Sequence, residues 1–220
     1  MTQEQKILGG IGVVTITLVV GAVVFFSGPS SNTSSNSSAK PVDAKILVKK
    51  NSHVAGNPKA NVTVVEFGDY QCPACGAAYP ITKQVLGHYG SKIAFVFRNF
   101  PLQQHQNAQI AAEAAEAAGK QGKFWEMHDI LYDKQTEWGE STNPMDYFLQ
   151  YAKKIDLDVK TFKDDVSKTV FAEQINSDRN DGNTIGVNST PTFYVNGEII
   201  PGGVPSYTAF TQAIDSHLKK

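Results

Sequence analysis

Cys72 and Cys75 are the only cysteines among 220 residues, and two residues separate them in VVEFGDYQCPACG. A C-x-x-C pair can support four kinds of chemistry. As half of a zinc site it needs two more ligands. No third cysteine exists, and the histidines at 53, 88, 105, 128 and 217 show no paired spacing. Thiolates also suit Cu(I), but a copper site would draw on Met or His nearby, and the methionines are remote in sequence. A structural disulfide across so short a loop confers little entropic stabilisation. Thiol–disulfide exchange needs only what is present, two sulfurs one helical turn apart behind a strand.

Exchange places specific demands on the surrounding chain. The nucleophile is the thiolate, and the unpaired N–H groups and positive dipole end of a helix start lower a thiol pKa. Pro73 suits the first helical position, where no N–H is needed. Cys72 is therefore expected as the exposed attacking sulfur and Cys75, one turn on, as the buried resolving sulfur.

The flanking elements fit this arrangement. NVTVVEF (61–67) is β-branched and mostly apolar, the pattern of a buried strand. In GAAYPITKQVLGHYG, Ala78, Ile81, Val85 and Tyr89 recur at helical spacing and Gly90 supplies a stop. KIAFVFRNFPL (92–102) is a second apolar run, able to lie parallel to the first strand with the helix as a right-handed crossover. From Gln106 to Ile185 the pattern is helical throughout: AQIAAEAAEAAGK, FWEMHDILYDK, NPMDYFLQYAKKI and VKTFKDDVSKTVFAEQINSDRNDG. PTFYV and EII are short strands joined by Asn196-Gly197, a strong hairpin signal. Ser206 can cap a last helix bearing Phe210, Ile214 and Leu218. ILVKK (46–50) is expected as an edge strand. The fold class is α/β, in the order β-α-β, a helical insertion over about 103–185, then β-β-α.

The N-terminus is of another kind. Ile7 to Phe26 is an uncharged stretch matching the ~20 residues that span a bilayer core. It exceeds a signal-peptide apolar region, and no A-x-A follows it. The expected organisation is a short cytoplasmic head (1–6), a transmembrane signal anchor (7–26), a flexible Ser/Asn-rich linker (27–45) and a folded domain (46–220). Hydrophobic residues make up 41% and net charge is −1, which suits a packed core and does not suggest nucleic acid as a partner.

Taken together, C-P-A-C between a strand and a helix, the helical insertion, and TPTFYVNG resemble the thioredoxin superfamily, in particular the DsbA-like thiol–disulfide oxidoreductases. The resemblance spans about residues 46–218 and implies roles for further residues. Glu66, six before Cys72, stands where that superfamily places a buried acid. It follows VTVV, so burial should raise its pKa, and it is expected to relay a proton to Cys75. Pro80 falls where the long helix of the superfamily kinks. Pro191 occupies the cis-proline place, with Thr190, Pro73 and Ala74 lining the substrate position. Arg98 is expected either to balance Glu66 or to lie on the surface, His105 to be a polar helix start, and Trp125 to belong to the core of the helical lobe. One departure is notable: DsbA itself has His where Ala74 stands, so a weaker thiolate and a less oxidising disulfide are expected here.

The implied activity is donation of the Cys72–Cys75 disulfide to reduced exported proteins, on the extracytoplasmic face of the cell membrane. A quinone-linked membrane oxidase would restore the disulfide. That disulfide is the only redox group, with no metal or other cofactor expected. A tethered reductase or isomerase, or a copper-binding or chaperone module on the same fold, stays open from sequence.

Overall fold

The computed structural model describes residues 40–219; the anchor expected at 7–26 and most of the linker expected at 27–45 lie outside them. Among the described residues, no helix is long and apolar enough to cross a membrane.

A five-stranded sheet is built from β1 (His53–Gly56), β2 (Val62–Gly68), β3 (Ile93–Asn99), β4 (Thr192–Val195) and β5 (Glu198–Ile200), in the order β1-β3-β2-β4-β5. β2 and β3 run parallel in the middle and every other neighbour is antiparallel. Both central strands are covered on two faces, which is why their sequences read as near-continuous apolar runs. The parallel pair is connected by helix α2 (Pro73–Tyr89), whose buried residues Cys75, Ala78, Thr82, Val85 and Tyr89 fall at helical spacing. Pro80 lies inside this helix. Asn196 and Gly197 turn β4 into β5 with φ of 47° and 87°, the left-handed pair that a two-residue hairpin requires. The last helix, Tyr207–Leu218, is capped by Ser206 and buries Phe210 edge-on against Phe193.

Three expectations are revised. The edge strand is His53–Gly56 rather than 46–50. Residues Ala44–Leu47 form a short helix, α1, capped by Asp43; Leu47 is buried, and the carbonyls of Ile46 and Leu47 are occupied by Arg98 instead of a neighbouring strand. Ordered packing also begins before residue 46, since the Val42 N–H donates to the Gly197 carbonyl at 2.9 Å. Lastly, the helix expected over 159–182 is two helices. Thr169, at φ 49°, breaks the chain between Val159–Ser167 and Ala172–Thr184. The first piece packs on the insertion and the second on β3, and one straight helix cannot face both.

The insertion comprises α3 (Ala108–Lys120), α4 (Phe124–Asp133), α5 (Gln135–Trp138), α6 (Pro144–Lys154), and the two pieces just described, α7 (Val159–Ser167) and α8 (Ala172–Thr184). Its core of Trp138, Phe148, Phe162, Leu131 and the α3 alanines is continuous with Cys75 and Phe97 of the sheet layer. The helical lobe therefore packs directly against the cysteines.

Arg98 neither balances Glu66 nor reaches the surface. Side chains alternate along a strand, so Phe67 and Arg98, paired in register, share one face of the sheet, while Glu66 and Phe97 share the other. Fully buried, Arg98 donates to Asp178 at 2.8 Å, Asp181 at 2.6 Å, and the α1 carbonyls. Burial raises the Asp178 pKa, the adjacent guanidinium opposing it. Removing one partner of such a cluster strands the rest, so Arg98→Ala should cost about 3–5 kcal/mol in urea unfolding. A loss under ~1 kcal/mol would show that the cluster contributes little beyond what a surface ion pair does.

Candidate active site

The site forms where β2 leaves the sheet. Cys72 is the N-cap of α2 and Pro73 occupies the first turn; the Gly76 N–H makes the first helical bond to the Cys72 carbonyl at 3.1 Å. The helical lobe clamps the loop that leads there. Gln135 donates to the carbonyls of Tyr70 at 2.7 Å and Cys72 at 2.9 Å, over the space left by Gly76. Gln71 donates to the Gly139 carbonyl and accepts from the Asn107 N–H. Asp69, fully buried, accepts from the N–H groups of Gln71 and Leu102 and pairs with His105 at 2.7 Å. His105 is thus a loop anchor, not a helix start; α3 begins only at Ala108.

Both cysteines are free thiols. Cys72 is 6% exposed and Cys75 fully buried, so the order of accessibility is as expected, but Cys72 is not the open sulfur anticipated from sequence. The covering group comes from far along the chain. The Thr190–Pro191 bond is cis, and the Cys72 thiol donates to the Thr190 carbonyl at 3.4 Å. Thr190 and Pro191 are themselves buried, while Pro73 is exposed and Ala74 half-buried at the rim.

The electrostatics separate the two sulfurs. The Cys72 pKa is lowered to about 5, first by the hydrogen bond from the Cys75 side chain. The N–H groups of Cys75 and Ala74 add to this, against the cost of burial. Burial and then the Cys72 hydrogen bond push the Cys75 thiol up, although the Asp69 N–H reaches its sulfur at 3.5 Å. Glu66, 2% exposed, has no side-chain hydrogen bond among the described residues. Desolvation, and next the Cys72 charge, raise its pKa to about 8. Glu66 therefore holds its proton at neutral pH, close to a thiol that cannot easily lose its own.

Residues not singled out by sequence complete the surroundings: Tyr70, Asp69, Gln135, His128 and Tyr132. Tyr70 and Asp69 lie within the loop itself, but α4 and α5 gave no local signal of facing it. Trp125 is half-buried, its ring 5.9 Å from Phe95 and 5.0 Å from His128, at the seam of lobe and sheet. Among the described residues, no cluster of three or more His, Cys, Asp or Glu is placed to hold a metal. An open cleft of about 170 Å³ adjoins the cis-proline, lined by Ser189, Pro191, Thr192 and the half-exposed Ile199.

A thioredoxin-like sheet, a helical insertion between its β-α-β and β-β-α halves, and C-x-x-C at the start of the crossover helix define the DsbA-like class of thiol–disulfide oxidoreductases. The chain belongs to the thioredoxin family, whose sequence profile matches residues 48–216. It is similar in structure to BdbD from Bacillus subtilis in its oxidised form, with TM-score 0.71 and 28% identity, covering 83% of this chain and 98% of that one. A thioredoxin-like oxidoreductase from Silicibacter pomeroyi DSS-3 is alike at TM-score 0.68 and 29% identity, over 81% and 99%. The thiol-disulfide exchange protein alpha-DsbA2 from Wolbachia pipientis, at 23% identity and TM-score 0.69, covers 78% of this chain and 90% of its own and shares the fold. In sequence, the chain is 45% identical over 146 residues to a Na(+)/H(+) antiporter, NhaA 1, of Salinispora arenicola. That match takes in 66% of this chain but only 22% of the antiporter, so the chain spans a minor part of these curated relatives.

Proposed function

We propose that this protein donates its Cys72–Cys75 disulfide to reduced exported proteins and is reoxidised by a quinone-linked membrane oxidase. The arrangement that carries this reading is Cys72 at the start of α2, against the Thr190 carbonyl, with Cys75 fully buried one turn behind it; burial pushes the Cys75 thiol up while hydrogen bonds hold Cys72 down to about 5. A substrate thiolate attacks the Cys72 sulfur, the Cys72–Cys75 bond breaks, and Cys75 leaves with a proton from Glu66. A second substrate thiolate then attacks the substrate sulfur of the mixed disulfide and expels Cys72 as thiolate. The substrate is oxidised by two electrons and the cysteine pair reduced by two.

Magnitudes favour this direction. At pH 7 an ordinary thiol is only a few per cent ionised, so a pKa near 5 multiplies the attacking thiolate on the order of 30-fold. Intrinsic nucleophilicity falls with pKa by a factor also on the order of 30. Attack gains little. Departure gains throughout, because a low-pKa thiol is the better leaving group. A stabilised thiolate also stabilises the reduced protein, which makes the disulfide oxidising.

The extracytoplasmic location rests on the uncharged run 7–26 and on the persistence of disulfides outside the cytoplasm. Thr190, Pro73 and Ala74 form the rim against which a substrate chain would lie, with the cleft beside Pro191 receiving its flanking residues. Antiport is named for the longer relatives, of which the matched stretch is 22% in one and 31% in another.

Acid-quenched alkylation of cells separates the readings. The oxidase reading expects Cys72 and Cys75 mostly as the disulfide. A mostly dithiol pair would make the protein a reductase or isomerase, and stoichiometric Cu(I) on the purified protein would make it a copper module.

A further inference from the structure

Asp69 contacts both cysteines through its main chain. It is 1% exposed, and each of its polar groups is engaged. Its N–H reaches Cys75 Sγ at 3.5 Å, and its carbonyl accepts from the Cys72 N–H at 3.1 Å. One carboxylate oxygen accepts from the Gln71 N–H at 2.7 Å. The other accepts from the Leu102 N–H at 3.0 Å and pairs with His105 Nδ1 at 2.7 Å. A carboxylate only accepts, so Nδ1 carries the hydrogen of that pair.

The direction of the Asp69 N–H is fixed from both sides of its peptide plane. The Gly68 carbonyl lies in the same plane and accepts from the Phe100 N–H at 2.8 Å. Phe100, Leu102 and His105 all belong to the segment that follows β3, which therefore holds residues 68 and 69 at three points. Residue 68 has to be glycine, because a Cβ there would overlap the Phe97 ring. Glycine leaves the backbone free to turn, and the Asp69 carboxylate removes that freedom. The bond so aimed stands against its surroundings. Burial, the Cys72 hydrogen bond and the charges of Glu66 and Cys72 push the Cys75 thiol up, and the Asp69 N–H opposes them.

We propose that the Asp69 N–H, held in place by the Asp69 carboxylate and His105, receives the negative charge that develops on the Cys75 sulfur as the Cys72–Cys75 bond opens. The inference rests on the exchange reading and names the group that serves its least favourable event, a charge on a fully buried sulfur. The substrate thiolate bonds to the Cys72 sulfur, the Cys72–Cys75 bond breaks, and its electron pair goes to Cys75. The proton that completes the Cys75 thiol comes from Glu66. A donor already aimed at the sulfur needs no reorganisation at that moment. Only the N–H meets the reacting atom; the carboxylate and His105 act through it and are positioning groups. The resolving attack by Cys75 passes through the same distribution of charge in reverse. The disulfide sulfur and the resting thiol are both neutral, so the donor speeds opening and closing together and hardly moves their equilibrium.

His105→Ala removes one tie from the carboxylate, and His105→Asn puts an amide N–H where Nδ1 stands. Two rates are measured at neutral pH: opening of the oxidised protein by glutathione, and resolution of a preformed Cys72–glutathione disulfide by Cys75. Both should fall together in His105→Ala, by roughly tenfold or more, as for a lost hydrogen bond to a charged group. His105→Asn should restore most of that loss. The Cys72 thiolate titration and the equilibrium with glutathione should keep their parental values, which a displaced loop would change. A loss in both variants with a shifted equilibrium would overturn the proposal and leave the pair a structural tie. The Asp69 amide proton tests the contact even where His105→Ala does not fold. In NMR spectra of the reduced protein it should move upfield in Cys75→Ala, which removes its acceptor, and an unmoved resonance would overturn the proposal by itself. If glutathione fails to open even the parental disulfide, the exchange reading falls and takes this inference with it. If the parent opens and His105→Ala opens as fast, this inference alone falls.

Discussion

Cys75→Ser is expected to accumulate covalent adducts through Cys72, whereas Cys72→Ser forms none. In the serine variant a mixed disulfide can form, but the buried sulfur that would break it is gone. Serine keeps a donor beside Cys72, and that donor is the largest cause of the low Cys72 pKa. Cys75→Ala removes it. Thiolate absorbance should therefore titrate near 5 in Cys75→Ser and move toward the ordinary thiol value in Cys75→Ala. Adduct yields on denaturing gels should differ by orders of magnitude between the two cysteine positions, since oxygen replaces sulfur in covalent exchange only at Cys72→Ser. Equal trapping by both variants would reverse the assignment of attacker and resolver, and identical titrations of Cys75→Ser and Cys75→Ala would remove the hydrogen bond as the cause.

Glu66 should govern how stability changes with pH. Its pKa is raised from 4.5 to about 8 in the fold, so between those values the folded state binds more protons than the unfolded state. Stability is thus lost as pH rises through that window and levels off above it. Three to four pKa units correspond to an upper bound on the order of 5 kcal/mol. Cys72 acts with the opposite sign in the reduced protein: its pKa is lowered from 9.0 to about 5, and stability is gained as pH rises between them. Where the windows overlap the two effects offset one another. The disulfide form has no thiolate, so it should show the Glu66 loss alone, reduced by the missing Cys72 charge. Urea unfolding at pH 5 and pH 8 tests this. Glu66→Gln should flatten the dependence of the oxidised protein and add stability of a few kcal/mol at pH 8. It should also slow the resolving attack while sparing the first. Parallel curves for Glu66→Gln and the parent would mean that Glu66 is solvated and ionised in the fold.

Much of the site was legible because it is local. C-P-A-C after VTVVEF places two sulfurs at a helix start, and strand, cysteine turn and helix adjoin in the chain. Burial of Glu66 follows from its place in an apolar strand. The Asn196-Gly197 hairpin, the Ser206 cap and the alanine-rich helix were equally local. Each is decided by a residue and its neighbours within a turn or a pleat. Local resolution also has a limit, as at 159–184, where helical propensity continues through a break that packing imposes at Thr169.

Contacts between distant segments were decided only by tertiary structure. Arg98 finds Asp178 and Asp181 because α8 lies across β3, and Asp69 finds His105 because the chain doubles back after Pro101. Cys72 is nearly covered because residue 190 returns to it. The aromatic and histidine side chains of α4 pack on Phe97, on the face of the sheet that carries Glu66, because the insertion folds over it. In sequence, the period of α4 shows that one face is buried and not what that face meets. The sequence by itself therefore determined which residues could carry thiol chemistry and on which elements they sit. The fold decided which charges, hydrogen-bond donors and proton acceptors surround them, because burial and electrostatic coupling depend on distance in space, and chain-local patterns do not encode that distance.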